Sequence, residues 1–170
     1  LVLPLAAAVV VVDQLTKTWA LRALDDGPVD VVWTLRFALT FNTGAAFSQG
    51  KGLGPVIGIL AAGVAVAVLW SSRSVPSRAG AVAVGLVVGG AVGNLVDRAF
   101  RAGDGVLGGA VVDFIDFQWY PVFNVADMAV VGGAILLLIA TARAGDGDGS
   151  EADATADTAA DTAGDPGGDH

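Results

Sequence analysis

The 170-residue sequence contains no cysteine, and its single histidine is the last residue, His170. The lack of cysteine excludes disulfides, thiolate metal sites and a cysteine nucleophile. Because the only imidazole is at the end of the chain, a Ser–His or Cys–His hydrolase and a histidine-based metal site are also excluded. Hydrolytic chemistry would therefore have to come from carboxylates, lysine or hydroxyl groups, and a pair of carboxylates that activates water needs no metal or other cofactor.

Positive charge is also scarce, with nine Lys and Arg against 17 acidic residues. All nine basic residues and nine of the acids lie in residues 1–143, which are therefore neutral and carry no basic patch for nucleic acid. The other eight acids lie in residues 144–170, among small and polar residues that cannot bury a core. We expect a membrane domain over 1–143 and a disordered, acidic cytoplasmic tail over 144–170.

Hydrophobic residues make up 54% of the chain and occur in long blocks, at residues 1–24, 55–70, 79–96 and 122–142. Blocks of this length predict membrane-spanning helices. The first block could also be a signal peptide. However, it contains Asp13 and Lys17, which share one helix face at i,i+4 and fit an inward-facing pair in a helix bundle. The sequence thus predicts an all-α membrane protein with four transmembrane helices.

Between these blocks, two segments are typical of β-strands. Residues 31–41 alternate apolar and polar side chains, which predicts a strand with one buried face. Asn42 and Gly44 then suit a tight turn, and residues 110–117 predict a second strand. Four spans place both termini on one side, which Arg73, Arg78 and Arg143 mark as cytoplasmic. The small β-strand region would then be extracytoplasmic.

The third block carries a ladder of small residues, Gly85, Gly89 and Gly93, which favours close helix packing. Polar residues cluster at the predicted outward ends of the spans: Asn42, Asn94, Arg98, Asp113, Asn124 and Asp127. Two carboxylates that share a site cannot both ionise easily, so one can act as a base while the other holds a proton. The pattern indicates a general acid–base pair formed by Asp113 and Asp127.

Each of these residues also has a simpler structural interpretation. Asp97 and Arg98 would form a local ion pair or a cap, and Asp116 would be solvated or bonded in a turn. Asp127 would be the N-cap of the fourth span, and Asn42 would serve only the turn. Taken singly, Asp113 and Asp127 are balanced between structural and functional roles. The convergence of three span ends on one membrane face favours function.

Five blocks resemble bacterial lipoprotein signal peptidase, or signal peptidase II. In order, residues 13–17 read DQLTK, 42–48 NTGAAFS, 89–98 GGAVGNLVDR, 111–117 VVDFIDF and 123–127 FNVAD. The resemblance implies a four-helix aspartic endopeptidase of the bacterial plasma membrane, and we expect the protein to be a monomer. Such an enzyme cuts prolipoproteins just before a diacylglyceryl-modified cysteine, so its partners would be that substrate and membrane lipids. The segment between Arg98 and Asp113 has additional glycines.

The resemblance also implies site residues. The catalytic pair falls on Asp113 and Asp127. The supporting residues fall on Asp13, Lys17, Asn42, Gly44, Gly90, Asn94, Arg98, Asn124 and Ala126, of which Asp13 and Lys17 form a structural polar pair.

Two other classes of protein remain as alternatives. Intramembrane Asp and Lys residues also mark proton paths, so a small proton-coupled transporter subunit is one alternative. A transporter is expected to place its charges near the membrane midplane and often has internal repeats, and no repeat is visible here. A non-catalytic anchor protein would not need two carboxylates converging on one face.

Overall fold

The computed structural model describes residues 1–44, 77–101 and 107–142, together with Gly63, Val66 and Trp70, each of which is helical. The described helices are α1 (Val2–Ala23), α2 (Arg78–Phe100) and α3 (Val125–Ala142). The described strands are β1 (Val29–Val32), β2 (Leu35–Asn42) and β3 (Val111–Asp116). The predicted span at 55–70, apart from those three residues, and the predicted tail at 144–170 lie outside the described residues.

All three described helices are long and apolar enough to cross a membrane, which confirms three of the predicted spans. Helices α1 and α3 leave large apolar side chains exposed, including Leu3, Leu15 and Leu138. By contrast, α2 is buried along much of its length. The exposed apolar surfaces of α1 and α3 therefore suit contact with lipid.

Helix α2 lies at the centre because its glycines admit a neighbour on each side. Its Gly89 packs on Ala6 and Val9, and its Gly93 packs on Asp13, so α1 and α2 run parallel. On the other side Gly90 packs on Ala126 and Gly133 packs on Ala83, so α3 runs antiparallel to α2. The predicted close packing through the glycine ladder is confirmed. The C-terminal ends of α1 and α2 consequently lie beside the N-terminal end of α3.

The strands form a three-stranded antiparallel sheet in the order β1-β2-β3. The prediction of one strand over residues 31–41 is wrong, because a two-residue turn at Trp33 and Thr34 divides it into a hairpin. Trp33 adopts φ +51, the left-handed conformation that such turns require. The buried face is also incomplete, since Phe41 is exposed. The second predicted strand is confirmed as β3.

An aromatic cluster fixes the sheet against the end of α1. Trp19 makes edge-to-face contacts with Phe37 of β2 and Phe114 of β3, at centroid distances of 5.3 and 6.0 Å. Phe114 also packs with Ala20 and Leu24. Burial of such rings contributes substantially to stability. The sheet is thereby positioned over the helix ends, where β3 faces the start of α3.

Candidate active site

The two predicted catalytic aspartates come from different elements that meet at this end of the bundle. Asp113 lies in β3 and is 2% exposed, whereas Asp127 lies in the first turn of α3 and is partly exposed. Local sequence alone does not bring the two together, because they are 14 positions apart and lie in different elements.

One residue, Asn124, holds both carboxylates. Its side-chain Nδ2 donates to Asp113 Oδ1 at 2.6 Å, and its backbone N–H donates to Asp127 Oδ2 at 3.1 Å. Asn124 Oδ1 in turn accepts from the backbone N–H of Asp127 at 3.0 Å. This reciprocal pattern is a capping box, in which Asn124 is the N-cap of α3. Asp127 is therefore not the N-cap, as its simpler structural interpretation held, but the third helical residue.

Two further asparagines complete the hydrogen bonds of the pair. Asn94 of α2 donates from Nδ2 to Asp127 Oδ1 at 2.8 Å, and Asn42 at the end of β2 donates to Asp113 Oδ2 at 3.2 Å. Asn42 Oδ1 also accepts from the backbone N–H of Gly44, so it serves the turn and the carboxylate together. All four carboxylate oxygens thus accept hydrogen bonds from neutral amides.

The electrostatic environment of Asp113 differs from that of an ordinary aspartate. Burial raises the pKa of Asp113, and the neighbouring charge of Asp127 raises it further, to about 7. The hydrogen bonds from Asn42 and Asn124 act in the opposite direction without cancelling the rise. A carboxyl with this pKa exchanges its proton near neutral pH, as general acid–base chemistry requires.

Behind the pair lies a buried ionic cluster centred on Lys17. Its ammonium contacts Asp13 Oδ2 at 2.8 Å and Asp97 Oδ2 at 2.9 Å, which confirms the predicted i,i+4 pair and adds a second carboxylate. It also donates to Asn94 Oδ1 at 2.9 Å. Asp13 accepts from the backbone N–H of Ala126, next to Asp127, at 3.0 Å. The cluster therefore contacts residues that adjoin or hold the catalytic candidates.

The predicted local ion pair between Asp97 and Arg98 is wrong. Asp97 points instead toward Lys17 and Arg101. Arg98 is buried, and among the described residues its Nη1 has no hydrogen-bond partner. The sequence missed Asp97 as a member of the site because its partner Lys17 is far away along the chain.

Gly90 and Ala126 contribute to the site because their small side chains allow α2 and α3 to pack closely. A Cβ on Gly90 would overlap the carbonyl oxygen of Ala126, so only glycine lets α2 approach the first turn of α3 this closely. Ala126 is itself fully buried beside Gly93. These small residues set the distance between Asn94 and Asp127.

The remaining acid of β3, Asp116, lies outside this network. It pairs with Arg36 across the sheet at 2.7 Å and accepts from the backbone N–H of Gln118, as expected for a turn residue. These contacts hold its pKa below the usual value. Within the described ranges, no group of three or more His, Cys, Asp or Glu side chains could hold a metal ion.

Comparison with known proteins identifies the class of protein that this site belongs to. Residues 5–143 match the family described as signal peptidase (SPase) II. The lipoprotein signal peptidase of Mycobacterium avium (strain 104) is 48% identical over 141 residues, covering 82% of this chain and 77% of that protein. The Mycolicibacterium smegmatis lipoprotein signal peptidase is also 48% identical, over 81% of this chain and 59% of that protein.

A solved structure described as a bacterial membrane enzyme superposes with a TM-score of 0.71 at 28% identity, covering 83% of this chain and 87% of that one. The chain therefore belongs to the signal peptidase II family, as the sequence resemblance predicted. It is an aspartic-type endopeptidase, and its helices are able to span a membrane.

Proposed function

We propose that this enzyme removes signal peptides from diacylglyceryl-modified prolipoproteins, cleaving before the lipidated cysteine. Asp113 and Asp127 form the catalytic pair, and Asn42, Asn94 and Asn124 support it. The observation that carries this proposal is the bridging of the two carboxylates by Asn124, which contacts Asp113 and Asp127 with the side chain and the backbone of one residue. A purely structural capping box needs only the contacts with Asp127.

Hydrolysis of the peptide bond follows from a pair of carboxylates that shares one proton. Asp113 holds this proton part of the time at neutral pH. The unprotonated carboxylate takes a proton from water, and the water oxygen bonds to the scissile carbonyl carbon. The protonated carboxyl gives its proton to the carbonyl oxygen. The tetrahedral intermediate then collapses as one of its hydroxyls returns a proton to the pair, the C–N bond breaks, and the other proton of the pair passes to the leaving amine. No covalent enzyme intermediate forms.

The sheet offers a place for the peptide. Among the described residues, β1 pairs with β2 only as far as Phe37, so the part of β2 that approaches Asn42 keeps one backbone edge unpaired by β1. Thr40 in this part lies opposite Asp113 in the register of β2 and β3. We place the signal peptide at this edge by strand addition, with the guanidinium of Arg98 nearby and Gly44 leaving room for its backbone. Acyl chains would lie against the exposed apolar faces of the helices.

The parallel packing of α1 and α2 supports four spans. The two helices end at the same face, so Ser77, just before α2, lies at the face opposite to the end of α1. Helix α2 is about 34 Å long at 1.5 Å per residue, close to the thickness of a membrane core. We propose that the apolar block at 55–70 makes this crossing and that both termini are cytoplasmic. The catalytic pair would then be extracytoplasmic, in an enzyme that acts as a monomer.

A cleavage assay on the purified enzyme tests the proposal. A diacylglyceryl-modified prolipoprotein is offered to the wild type, to Asp113→Asn and to Asp127→Asn. Asp26→Asn serves as the matched control, because Asp26 is an exposed carboxylate just beyond α1. We expect wild type and Asp26→Asn to cleave at similar rates. Asp113→Asn and Asp127→Asn should fold, but their cleavage rates should fall by about 10³-fold or more.

Near-normal cleavage by Asp113→Asn or by Asp127→Asn would overturn the assignment of these two residues as the catalytic pair. A wild-type enzyme that cleaves no lipidated substrate would overturn the proposed activity and restore the transporter alternative.

A further inference from the structure

We propose that Asp97 is a positioning residue that fixes both members of the catalytic pair from behind. This inference rests on the proposed catalytic role of Asp113 and Asp127. Asp97 lies near the end of α2, is 1% exposed and uses both carboxylate oxygens. Oδ2 contacts Lys17 Nζ at 2.9 Å and accepts from the backbone N–H of Val112 at 3.1 Å. Oδ1 contacts Arg101 Nε at 2.9 Å and Gln14 Nε2 at 3.2 Å.

One of these contacts leads directly to Asp113. Val112 precedes Asp113 in β3, so the hydrogen bond to its N–H holds this end of the strand against α2. The chain approaches α2 closely at Gly109, where an added Cβ would lie 2.6 Å from the carbonyl oxygen of Asp97. Gly109 also donates from its N–H to the carbonyl of Arg98 at 3.0 Å. Glycine and the Asp97 carboxylate together fix where β3 begins.

The second contact leads to Asp127 through Lys17 and Asn94. An ammonium group has three protons, and Lys17 directs them to Asp13, Asp97 and Asn94. Because Lys17 donates to the oxygen of the Asn94 amide, the nitrogen of that amide faces Asp127. Asp97 holds Lys17 in this position, so it acts on the orientation of the donor to Asp127.

Asp13 and Asp97 play matching parts in this arrangement. Asp13 accepts from the backbone N–H of Ala126, the residue before Asp127, and Asp97 accepts from the backbone N–H of Val112, the residue before Asp113. Lys17 lies between the two buried carboxylates. Each catalytic candidate is therefore preceded by a residue whose N–H is held by an aspartate of the same ionic cluster.

Asp97 is unfavourably placed for its own helix, α2, so a local structural role does not explain why an aspartate occupies this position. A negative charge close to the C-terminal end of a helix is unfavourable, because the helix dipole leaves partial negative charge there. The favourable contacts of Asp97 are with α1, with Arg101 and with β3, and the contact with β3 is the one that an ordinary counterion for Lys17 would not need.

The test measures kcat and KM for cleavage of a diacylglyceryl-modified prolipoprotein by Asp97→Asn, normalised to folded protein, with Asp113→Asn as the inactive reference. Arg101→Gln is the matched control, because it removes an ion pair of Asp97 but leaves its contacts with Lys17 and Val112. We expect Asp97→Asn to lower kcat by about 10- to 100-fold with KM nearly unchanged, since misplaced catalytic groups slow the chemical step. Arg101→Gln should stay within about threefold of wild type.

Equal kcat values for Asp97→Asn and Arg101→Gln would overturn the proposal, and so would a loss confined to KM. If Asp97→Asn does not fold, replacement of the Val112 amide by an ester decides the question. The ester removes the N–H that donates to Asp97 and keeps every charge, although it also makes the carbonyl of Val111 a weaker acceptor. A lowered kcat supports the proposal, whereas an unchanged kcat contradicts it. A cleaving Asp113→Asn would instead show that the proposed catalytic pair is wrong.

Discussion

Two pairs of buried or partly buried aspartates lie among the described residues, and their partners differ. Asp13 and Asp97 share the ammonium of Lys17, so a cation contacts both carboxylates. Asp113 and Asp127 share Asn124 and are otherwise held by neutral amides. A lysine that contacts both carboxylates ties α1 to α2 and makes a rigid support. Amides orient the carboxylates, while burial of Asp113 and then the charge of Asp127 raise the pKa of Asp113 to about 7.

Removal of the shared cation should have the largest effect. Lys17→Met leaves Asp13 and Asp97 buried without their counterion, so we expect a loss of about 3–5 kcal/mol in the free energy of unfolding. The control is Arg36→Met, which breaks the partly exposed pair with Asp116 and should cost no more than about 1 kcal/mol. Unfolding in detergent measures both. Equal losses would show that the two ionic contacts are equivalent.

Removal of the shared amide should instead separate activity from stability. Asn124→Ser keeps a hydroxyl that can cap α3 but loses the Nδ2 donor to Asp113. We expect cleavage to fall by about 10²-fold, with thermal stability close to that of wild type. Because the lost hydrogen bond lowers the pKa of Asp113, that pKa should rise. Full activity in a stable variant would contradict the bridging role of Asn124.

A change in the spacing between α2 and α3 should have a smaller effect than the loss of Lys17 or of the Asn124 amide. Gly90→Ala forces a Cβ into the carbonyl of Ala126, and we expect a loss of about 1–3 kcal/mol in stability together with reduced cleavage. Gly132→Ala on α3 is the matched control, because nothing lies within 4 Å of its added Cβ. That control should be neutral or slightly stabilising, as alanine favours helices. Similar losses in both variants would contradict the packing argument.

A change of pH should have the smallest effect, a gradual change in cleavage rate and in stability. Cleavage should decline as pH rises through about 7, because Asp113 loses the proton needed by the pair. Stability should change in the same direction. The native state holds this proton between the usual pKa of 3.8 and about 7, so the stabilising contribution is complete below 3.8 and is lost as pH rises through 7. Asp26→Asn should leave the cleavage profile unchanged, and a plateau extending well above 7 in wild type would contradict the account.

The sequence predicts the helices and the catalytic candidates better than it predicts their contacts. Long apolar blocks identify spans because the bilayer requires them, and α1, α2 and α3 fall within two or three residues of the predicted segments, except at the C-terminal end of α2. The hairpin at Trp33 was missed because apolar and polar residues alternate through the turn, which lacks the usual Asn-Gly or Asp-Gly signal.

The partner of Asp97 could not be predicted for a different reason. Local spacing favoured the adjacent Arg98, whereas Lys17 lies 80 positions earlier and meets Asp97 only because α1 and α2 pack in parallel. The capping box has a readable signal, since Asn124 and Asp127 are three positions apart at the start of a helix. What that spacing does not reveal is that the Asn124 side chain also reaches Asp113 in β3.

The central claim is that the amide-held pair retains a proton near neutral pH, and carbon-13 NMR of the aspartate carboxyls tests it most directly. The signal of Asp113 is assigned by its absence from Asp113→Asn and followed from about pH 5 to about pH 9. The account predicts a midpoint near 7 in wild type and a lower midpoint in Asp127→Asn, because the repelling charge is gone. A midpoint near 4 in wild type, unchanged in Asp127→Asn, would show that the two carboxylates do not share a proton.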